Sequence, residues 1–216
     1  MVRHADAHRR RFVTATSLRA AINEVAARDP VLAHLVELAG PITHRLRDPD
    51  GHFGALVRSI VFQQLAGRAA HAIYQRVRAA PGGMVTPEML AAGLSANKLA
   101  SLRDLSAKVL DGTVDLHRLS RRSDDEILAA LTTVRGIGRW TAEMYLMFEL
   151  RRLVVWPVDD LGVRQGYGLA WGVQPSPSAR ELGPLGDRFR PYRSIVARYC
   201  WEAVALFRGG TDPALR

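Results

Sequence analysis

The sequence predicts an all-α fold, because helix start and stop signals recur along it and strand patterns are scarce. Asp29 is expected to be an N-cap, with Pro30 at the first helical position and Gly40 just after the helix end. Further along, Ser123 and Glu126 have the spacing of a capping box ahead of an apolar run. Both patterns satisfy backbone N–H groups that a helix leaves without partners at its start, so they mark helix boundaries.

Apolar residues recur at helical spacing through most of the chain. The predicted helical segments, in order, are 16–29, 29–40, 53–67, 68–80, 86–93, 95–112, 123–134, 139–150, 161–171 and 191–207. One short β-branched run within "RRLVVWPVDD" has the composition of a strand, but no second segment pairs with it in any obvious way. Proline and glycine concentrate at 81–87 and 172–187, which are predicted to be loops.

The composition indicates a polyanionic partner. The 216 residues carry a formal net charge of +9, and Lys98 and Lys108 are the only lysines among the 30 basic residues. Arginine keeps its charge and makes bidentate contacts with phosphate, so nucleic acid is the first candidate. The alternative is that the charge serves solubility and reflects a codon bias toward arginine. The length and the 48% hydrophobic content suffice for one large domain or two small ones.

Several classes of function are disfavoured by what the sequence lacks. Cys200 is the only cysteine, so the chain can build neither a disulfide nor a cysteine-held zinc site or iron–sulfur cluster by itself. The seven histidines show no metal-ligand spacing. The N-terminal segment is polar and basic without an apolar core, and no run is long enough to cross a bilayer. We therefore expect a cytoplasmic protein, nucleoid-associated if the source is bacterial.

The segment "VRGIGRWTAEM" has the pattern of a glycine turn between two helices. Gly136 and Gly138 permit positive φ and remove side chains from the surface of the turn. The backbone N–H groups that begin the second helix, near Arg139, would then face outward, where the helix dipole favours an anion. Such a turn can bind a DNA phosphate without reading the base sequence. The alternative is a plain helix–helix connection.

The string "LTTVRGIGRWTAEMYLMF…VVWPVDDLGVRQ" resembles the helix-hairpin-helix DNA glycosylases, in which an essential aspartate follows the hairpin by about twenty residues. Upstream, "LVRSIVFQQLAGRAAHAIYQRV" is similar to a helix pair of that family, and "RPYRSIVARYCWEAV" resembles its closing helix in the alkylpurine branch. The resemblance extends from about residue 20 to residue 207. The combination of motifs is specific, although no single one is.

Three departures from the wider family indicate a branch. Trp140 occupies the position where the strand-cutting members carry a lysine nucleophile, so lyase chemistry is not expected. The single cysteine excludes the four-cysteine cluster that is usual in the endonuclease III and adenine-mismatch branches. The form "GIGRWTA" is similar to the DNA-3-methyladenine glycosylase II (AlkA-type) branch. Some of those enzymes carry an extra N-terminal α/β domain, which is not expected here because few residues precede the matched segment.

The resemblance implies that Asp160 is the catalytic carboxylate, because Asp160 followed by Val163 fits the family pattern better than Asp159 does. A carboxylate beside the sugar stabilises the oxocarbenium ion that forms when a base departs, and it also orients or deprotonates the attacking water. The alternative role for each aspartate is the N-cap of the next helix. We expect one of the two to be that cap.

The resemblance also implies an aromatic pocket for the flipped base, formed by Trp140 and Trp201. Stacking and cation–π attraction would favour an electron-poor base there. The alternative for both is core packing. Two other pocket aromatics of the family correspond to Met144 and Leu161 in this chain, so a less aromatic pocket is expected. Three other aromatic residues are possible replacements: Phe62, Trp156 and Tyr192.

Further DNA contacts are implied for residues around the first helix pair. Leu65 matches the position of an apolar wedge that fills the gap left by the flipped base, or is otherwise a core leucine. Gln64 would contact bases around the gap, or otherwise cap a helix. Arg68 and Arg139 are candidate phosphate ligands, or otherwise solvated surface charges.

By resemblance alone, the hairpin is expected to hold a monovalent cation. The matching backbone carbonyls belong to Thr132, Val134 and Ile137, and K⁺ or Na⁺ would bridge them to a DNA phosphate. No other cofactor is expected.

Two helical subdomains are expected to flank a cleft. One covers 53–152 and contains the hairpin, and the other combines 19–52 with 153–210, so that Asp160 lies where they meet. Residues 1–18 and 211–216 are expected to be tails, the first of them flexible and basic.

The resulting hypothesis is a monomeric, monofunctional DNA glycosylase of base-excision repair that releases alkylated purines such as 3-methyladenine from double-stranded DNA. One alternative is the same scaffold with another damaged base as substrate. A second is a helix-hairpin-helix DNA-binding protein without catalysis, and a third is a generic arginine-rich helical scaffold.

Overall fold

The computed structural model describes residues 15–65, 67–79 and 94–207. In those ranges the chain forms helices and loops and no β-strand, which confirms the predicted all-α class. None of the helices in those ranges is long and apolar enough to cross a membrane. The helix predicted over 86–93, the tail over 211–216 and residues 1–14 of the N-terminal tail lie outside the described residues.

Helices occupy most of the described ranges, and one of them, Ala179–Leu185, lies within 172–187, where the predicted loop is wrong. Their bounds are α1 Ala15–Ala26, α2 Pro30–Ala39, α3 Gly51–Phe62, α4 Gly67–Ala79, α5 Ala96–Leu110, α6 Leu116–Leu119, α7 Asp124–Thr132, α8 Arg139–Met144, α9 Leu161–Trp171, α10 Ala179–Leu185 and α11 Arg193–Phe207. A π-helical turn over Tyr145–Glu149 continues α8, and a 3₁₀ turn over Asp187–Phe189 follows α10. Because α1 begins at Ala15, the last residues of the expected tail are helical.

The predicted cap signals act as expected. The Asp29 carboxylate accepts the Leu32 N–H at 3.0 Å, and Pro30 opens α2. Ser123 and Glu126 form the reciprocal capping box at the start of α7. These local contacts fix helix ends whose positions the sequence had indicated.

The helices pack in two groups. In one group, α9 lies against α11, and α2 packs on both of them while α1 packs on α2. In the other group, α3 contacts α4, α5 and the π-helical turn, and α7 contacts α8. The proposed subdomain limits stay a prediction, and α3 itself begins at Gly51, ahead of the limit drawn at residue 53.

The closest approach of α9 to α11 depends on Gly166. A Cβ at that position would overlap the backbone carbonyl oxygen of Cys200. Only a residue without a side chain allows this contact. The next residue along α11 is Trp201. The close contact at Cys200 therefore fixes the position of Trp201 along α9, and its indole lies beside Asp160.

Candidate functional site

The turn between α7 and α8 requires glycine at residue 136. Gly136 has φ +78°, in the left-handed region. A Cβ there would also lie 2.5 Å from the Ser101 hydroxyl oxygen of α5. Backbone conformation and space therefore both exclude larger residues at Gly136.

Gly138 does not use the positive φ that glycine permits, because its φ is −83°. A Cβ at Gly138 would meet nothing within 4 Å. As the N-cap of α8, Gly138 supplies no side-chain acceptor to the first N–H groups of the helix. The position therefore keeps a helix start open to the outside, which suits an anion approaching the backbone.

Helix α5 braces this turn through two charged side chains. The Asp104 carboxylate accepts the Arg135 N–H at 2.7 Å and the Lys108 ammonium at 2.6 Å. Lys108 also donates to the Thr133 carbonyl at the end of α7, at 2.6 Å. The hydrogen bond from Lys108, followed by the one from the Arg135 backbone, lowers the pKa of Asp104. The turn is therefore held on one side by an ionised pair.

On its other side the turn is bound to the end of α3 by Gln63, which the sequence reasoning missed. Its side-chain amide donates to the Gly136 carbonyl at 2.7 Å and lies 3.4 Å from the Thr141 hydroxyl. Lys98 of α5 donates to the Val61 and Gln63 carbonyls at 2.7 and 2.8 Å. The hairpin and the turn after α3 thus form one connected surface.

The predicted DNA-contact residues of the turn after α3 point outward. Gln64 is exposed with φ +56°, and it does not cap α3, because Gln63 occupies that position. Leu65 is 37% exposed, which rules out a fully buried core leucine. Arg68, in the first turn of α4, is also exposed. All three side chains lie on the surface, where a ligand can reach them.

Arg139 is held by a buried carboxylate. Its Nε lies 3.0 Å from Oε1 of Glu143, one turn further along α8, while the Arg139 side chain stays 63% exposed. Among the described residues, Glu143 Oε2 has no hydrogen-bond partner. Burial raises the pKa of Glu143, with Arg139 opposing that shift. The salt bridge thus anchors one edge of the guanidinium group and leaves the rest to solvent.

Asp160 is the N-cap of α9 and is nearly buried, whereas Asp159 is exposed. Oδ1 of Asp160 accepts the Val163 N–H at 2.8 Å and the indole N–H of Trp201 at 2.9 Å. Oδ2 accepts the indole N–H of Trp140 at 2.6 Å. The expectation that one aspartate caps the helix is confirmed, and the capping residue is the one proposed to be catalytic.

The two tryptophans bring this carboxylate into contact with both helix groups. Trp140 lies on α8, directly after the hairpin, and Trp201 lies on α11. Trp140 is 47% exposed, so its ring is not core packing. Three N–H donors fix the orientation of both carboxylate oxygens, an arrangement suited to stabilising a positive charge that develops next to it.

Phe148 is a further aromatic residue of the site, which the sequence reasoning missed. Its ring stacks on Trp201 with centroids 6.0 Å apart and planes at 20°. Gly162 allows this position of the indole, because a Cβ there would lie 2.8 Å from Trp201 Cδ1. Next to Asp160, Leu161 is exposed, whereas Met144 is half-buried. The aromatic surface is therefore supplied by Trp140, Trp201 and Phe148.

Two of the three proposed replacement aromatics belong to the core instead. Trp156 is buried and donates its indole N–H to the Leu182 carbonyl at 2.9 Å. Tyr192 is buried and donates its hydroxyl to Glu24 at 2.6 Å. Phe62 is partly buried and packs edge-on against a tyrosine of α4. Trp156 and Tyr192 therefore do not make up for the aromatics that Met144 and Leu161 replace.

Comparison with known proteins identifies relatives of this chain, although no family model matches it. A DNA-3-methyladenine glycosylase of Schizosaccharomyces pombe is 32% identical over 204 residues, which cover 88% of this chain and 90% of that protein. The chain belongs to the DNA-3-methyladenine glycosylases.

Two solved DNA-3-methyladenine glycosylases share the fold. The S. pombe enzyme in complex with abasic DNA superposes with a TM-score of 0.75 at 30% identity, over 89% of this chain and all of that one. A Bacillus halodurans enzyme superposes with a TM-score of 0.77 at 31% identity, over 88% of this chain and 91% of that one. The resemblance to helix-hairpin-helix glycosylases is therefore confirmed for nearly the whole described chain.

Proposed function

We propose that this glycosylase is monofunctional and hydrolyses the N-glycosidic bond of alkylated purines, such as 3-methyladenine, in double-stranded DNA. The observation that carries this proposal is the position of Asp160. Its carboxylate is held by two indole N–H groups and one backbone N–H, and one of the indoles, Trp140, follows the Gly136–Gly138 turn by two residues. Binding and chemistry then occur within one site.

The DNA is held by the hairpin and opened by the turn after α3. The start of α8 and the free edge of the Arg139 guanidinium would take one backbone phosphate. Leu65 would enter the gap left by the flipped nucleotide, with Gln64 beside it and Arg68 on the flanking backbone. Gln63, which ties this turn to the Gly136 carbonyl, supports the idea that the two contacts act together.

Asp160 would stabilise the sugar as the base leaves. Alkylation gives a purine positive charge, so the base is a good leaving group without help from a protein acid. The positive charge then moves to the sugar, where an adjacent carboxylate lowers the energy of the oxocarbenium-like transition state. Asp160 also orients the water that attacks the sugar.

The aromatic surface would select the base. The exposed ring of Trp140 and the stacked pair of Trp201 and Phe148 offer π faces to an electron-poor ring. Trp140 stands where a lysine nucleophile would be needed for strand cleavage, so the product is an intact abasic strand. With Leu161 and Met144 in place of further aromatics, the pocket would offer fewer π faces to the base.

A monovalent cation at the hairpin is a separate proposal. The carbonyls of Thr132, Val134 and Ile137 lie at the end of α7 and in the turn, where helix carbonyls lack intrahelical partners. The Val134 carbonyl accepts the Ile137 N–H at 3.0 Å and keeps a second lone pair. Oxygen donors of this kind fit K⁺ or Na⁺, which when bound would neutralise part of a phosphate charge.

We also propose that the enzyme acts as a monomer in the cytoplasm, on nucleoid DNA.

The test is base release from methylated duplex DNA, comparing the wild type with Asp160→Asn and measuring free bases by chromatography. We expect 3-methyladenine from the wild type and at least a hundredfold less from the variant, a barrier increase of about 2.7 kcal/mol. Binding of both proteins to duplex DNA serves as the control. If the wild type releases other damaged bases only, the specificity is different. If it binds DNA and releases nothing, the protein is a binding module.

A further inference from the structure

An arginine cluster surrounds Phe148, on elements outside the hairpin. The Arg45 guanidinium lies 4.4 Å from the ring centroid of Phe148, and that of Arg198 lies 5.7 Å from it. Arg45 belongs to the connection between α2 and α3, and Arg198 belongs to α11. Arg58 of α3 and Arg151, which follows the π-helical turn, add positive charge to the same region, because Arg58 acts electrostatically on Arg45 and Arg151 acts on the adjacent His44.

The cluster has no carboxylate ion pair among the described residues. Arg198 donates to the Thr43 carbonyl at 2.6 Å, and the acid that acts on it electrostatically is Glu202. Burial, followed by repulsion from Arg45, lowers the pKa of Arg198 to about 10. Burial and repulsion from Arg58 lower the pKa of Arg45. Arg198 is half-buried, whereas Arg45 and Arg58 are exposed. An anion that binds among these guanidinium groups would relieve their mutual repulsion.

Two further polar atoms of this region lack partners. His44 Nε2 and Arg151 Nε are buried and form no hydrogen bond within the described residues. Burial, followed by the charges of Arg151, Arg198 and Arg47, lowers the pKa of His44. Arg151 is also one of the non-glycine residues with positive φ, at 55°. The Arg151 Nε–H is a donor left unsatisfied in a positively charged region, and such a donor favours an oxyanion ligand.

The cluster adjoins the candidate active site on the side of Trp201. The hairpin continues into Trp140, Asp160 joins Trp140 to Trp201, and Phe148 stacks on Trp201. The arginines lie over Phe148, at the other end of this series of contacts from the hairpin. A nucleotide placed against Asp160 would thus have one cationic surface at the hairpin and another at the cluster.

We propose that the arginine cluster binds a second phosphate of the damaged strand, on the other side of the flipped nucleotide from the phosphate at the hairpin. This proposal rests on the proposed DNA-binding function. Two phosphates fixed on either side would hold the intervening sugar against Asp160. The ligand is a phosphodiester, because guanidinium groups recognise its paired oxygens in a bidentate manner.

The test is the salt dependence of binding to a labelled duplex that contains one stable abasic-site analogue. Each phosphate contact contributes about 0.9 to the slope of log affinity against log salt concentration. We expect Arg45→Gln and Arg198→Gln each to reduce the slope by about 1 and the affinity in low salt by about tenfold. Arg121→Gln is the matched control, because Arg121 is exposed, lies near the start of α7 and forms no ion pair within the described part of the chain. An unchanged slope in both cluster variants would overturn the proposal.

Two additional measurements separate charge from packing. Arg45→Lys keeps the charge and alters the stacking on Phe148, so the slope is expected to persist in that variant. A slope lost in Arg45→Lys as well would show a packing role and count against the site. If inorganic phosphate raises the unfolding temperature of the wild type more than that of Arg198→Gln while the DNA slopes agree, the cluster is an anion site that DNA does not use, and the proposal fails. Because the assay measures binding, it can succeed even if no base is released.

Discussion

The carboxylate of Asp160 is oriented by donors from three different places in the chain. The Val163 N–H comes from its own helix, whereas the two indole N–H groups come from α8 and α11. A cap hydrogen bond alone would leave Oδ2 free to turn toward water. The tryptophans therefore contribute to the site as hydrogen-bond donors as well as aromatic surfaces.

Replacing each indole by phenylalanine separates these two contributions. Trp140→Phe and Trp201→Phe keep an aromatic face and lose the donor to Asp160. We expect each to slow single-turnover base release by about 10- to 100-fold, as removal of a hydrogen bond to a charged group is worth about 1.5–3 kcal/mol. Trp171→Phe is the control, because that indole donates to Asp29 instead. Equal effects in all three variants would argue against a specific role for the two indole hydrogen bonds to Asp160.

The buried carboxyl of Glu143 makes stability depend on pH. Its pKa is raised by burial, so the folded state binds its proton more tightly than the unfolded state does. Its contribution to stability is therefore present at low pH and is lost as the pH rises through the raised pKa. We expect Glu143→Gln to match the wild type near pH 4 and to exceed it in free energy of unfolding at pH 8. Urea unfolding at several pH values measures this difference, and a variant less stable at pH 8 than at pH 4, relative to the wild type, would contradict it.

At single positions the sequence predicted residue types better than contacts. Asp160 was proposed as the catalyst with the helix cap as the alternative; the structure shows the cap, and the catalytic role stays a prediction. Phe148 was missed because its partner Trp201 is distant in sequence, and no local pattern encodes that stacking. Gln63 and Gln64 are adjacent and identical in type, so only the backbone, with φ +56° at Gln64, decides which one reaches the hairpin.

The hairpin as an element depends on its two glycines for different reasons. Gly136→Ala is expected to lower the free energy of unfolding by about 1–3 kcal/mol, from the left-handed backbone and the contact with Ser101. Gly138→Ala meets neither obstacle and is expected to stay within about 0.5 kcal/mol of the wild type. It would instead add a methyl group to the surface proposed to bind phosphate, and we expect it to weaken DNA binding about tenfold. Unfolding curves and DNA titrations of both variants distinguish the two roles, and a stable Gly136→Ala would refute the first.

The pairing of α9 with α11 is the second element whose geometry matters for the site. Gly166→Ala would push the helices apart at the Cys200 carbonyl, so we expect a loss of about 3 kcal/mol or more. Gly183→Ala in α10 is the matched control, because a Cβ there meets nothing within 4 Å. That variant is expected to remain within about 1 kcal/mol of the wild type. Thermal unfolding of both measures the difference, and comparable stabilities would mean that the interface tolerates the shift.

For the molecule as a whole, local signals were enough to predict the class of fold and most helix positions. Caps and apolar spacing involve residues only a few positions apart, so they can be recognised in the sequence itself. The packing of α2 against α9 and α11, and the bracing of the hairpin by Lys108, depend on contacts between distant segments. Neither of these contacts produces a periodic pattern in the sequence. The family resemblance supplied the location of the site, which composition and spacing alone did not.

The two indoles that donate to Asp160 can also be followed by their fluorescence. An indole emits at a wavelength that depends on the charge and hydration around its ring, and two of the four tryptophans touch the same carboxylate. Trp140 and Trp201 stand on different helix groups, so any change in the distance between the groups, or any base entering between them, alters the surroundings of both rings. The protein thus carries its own optical probe at the proposed catalytic carboxylate, and no attached dye is needed to test whether a nucleotide enters there.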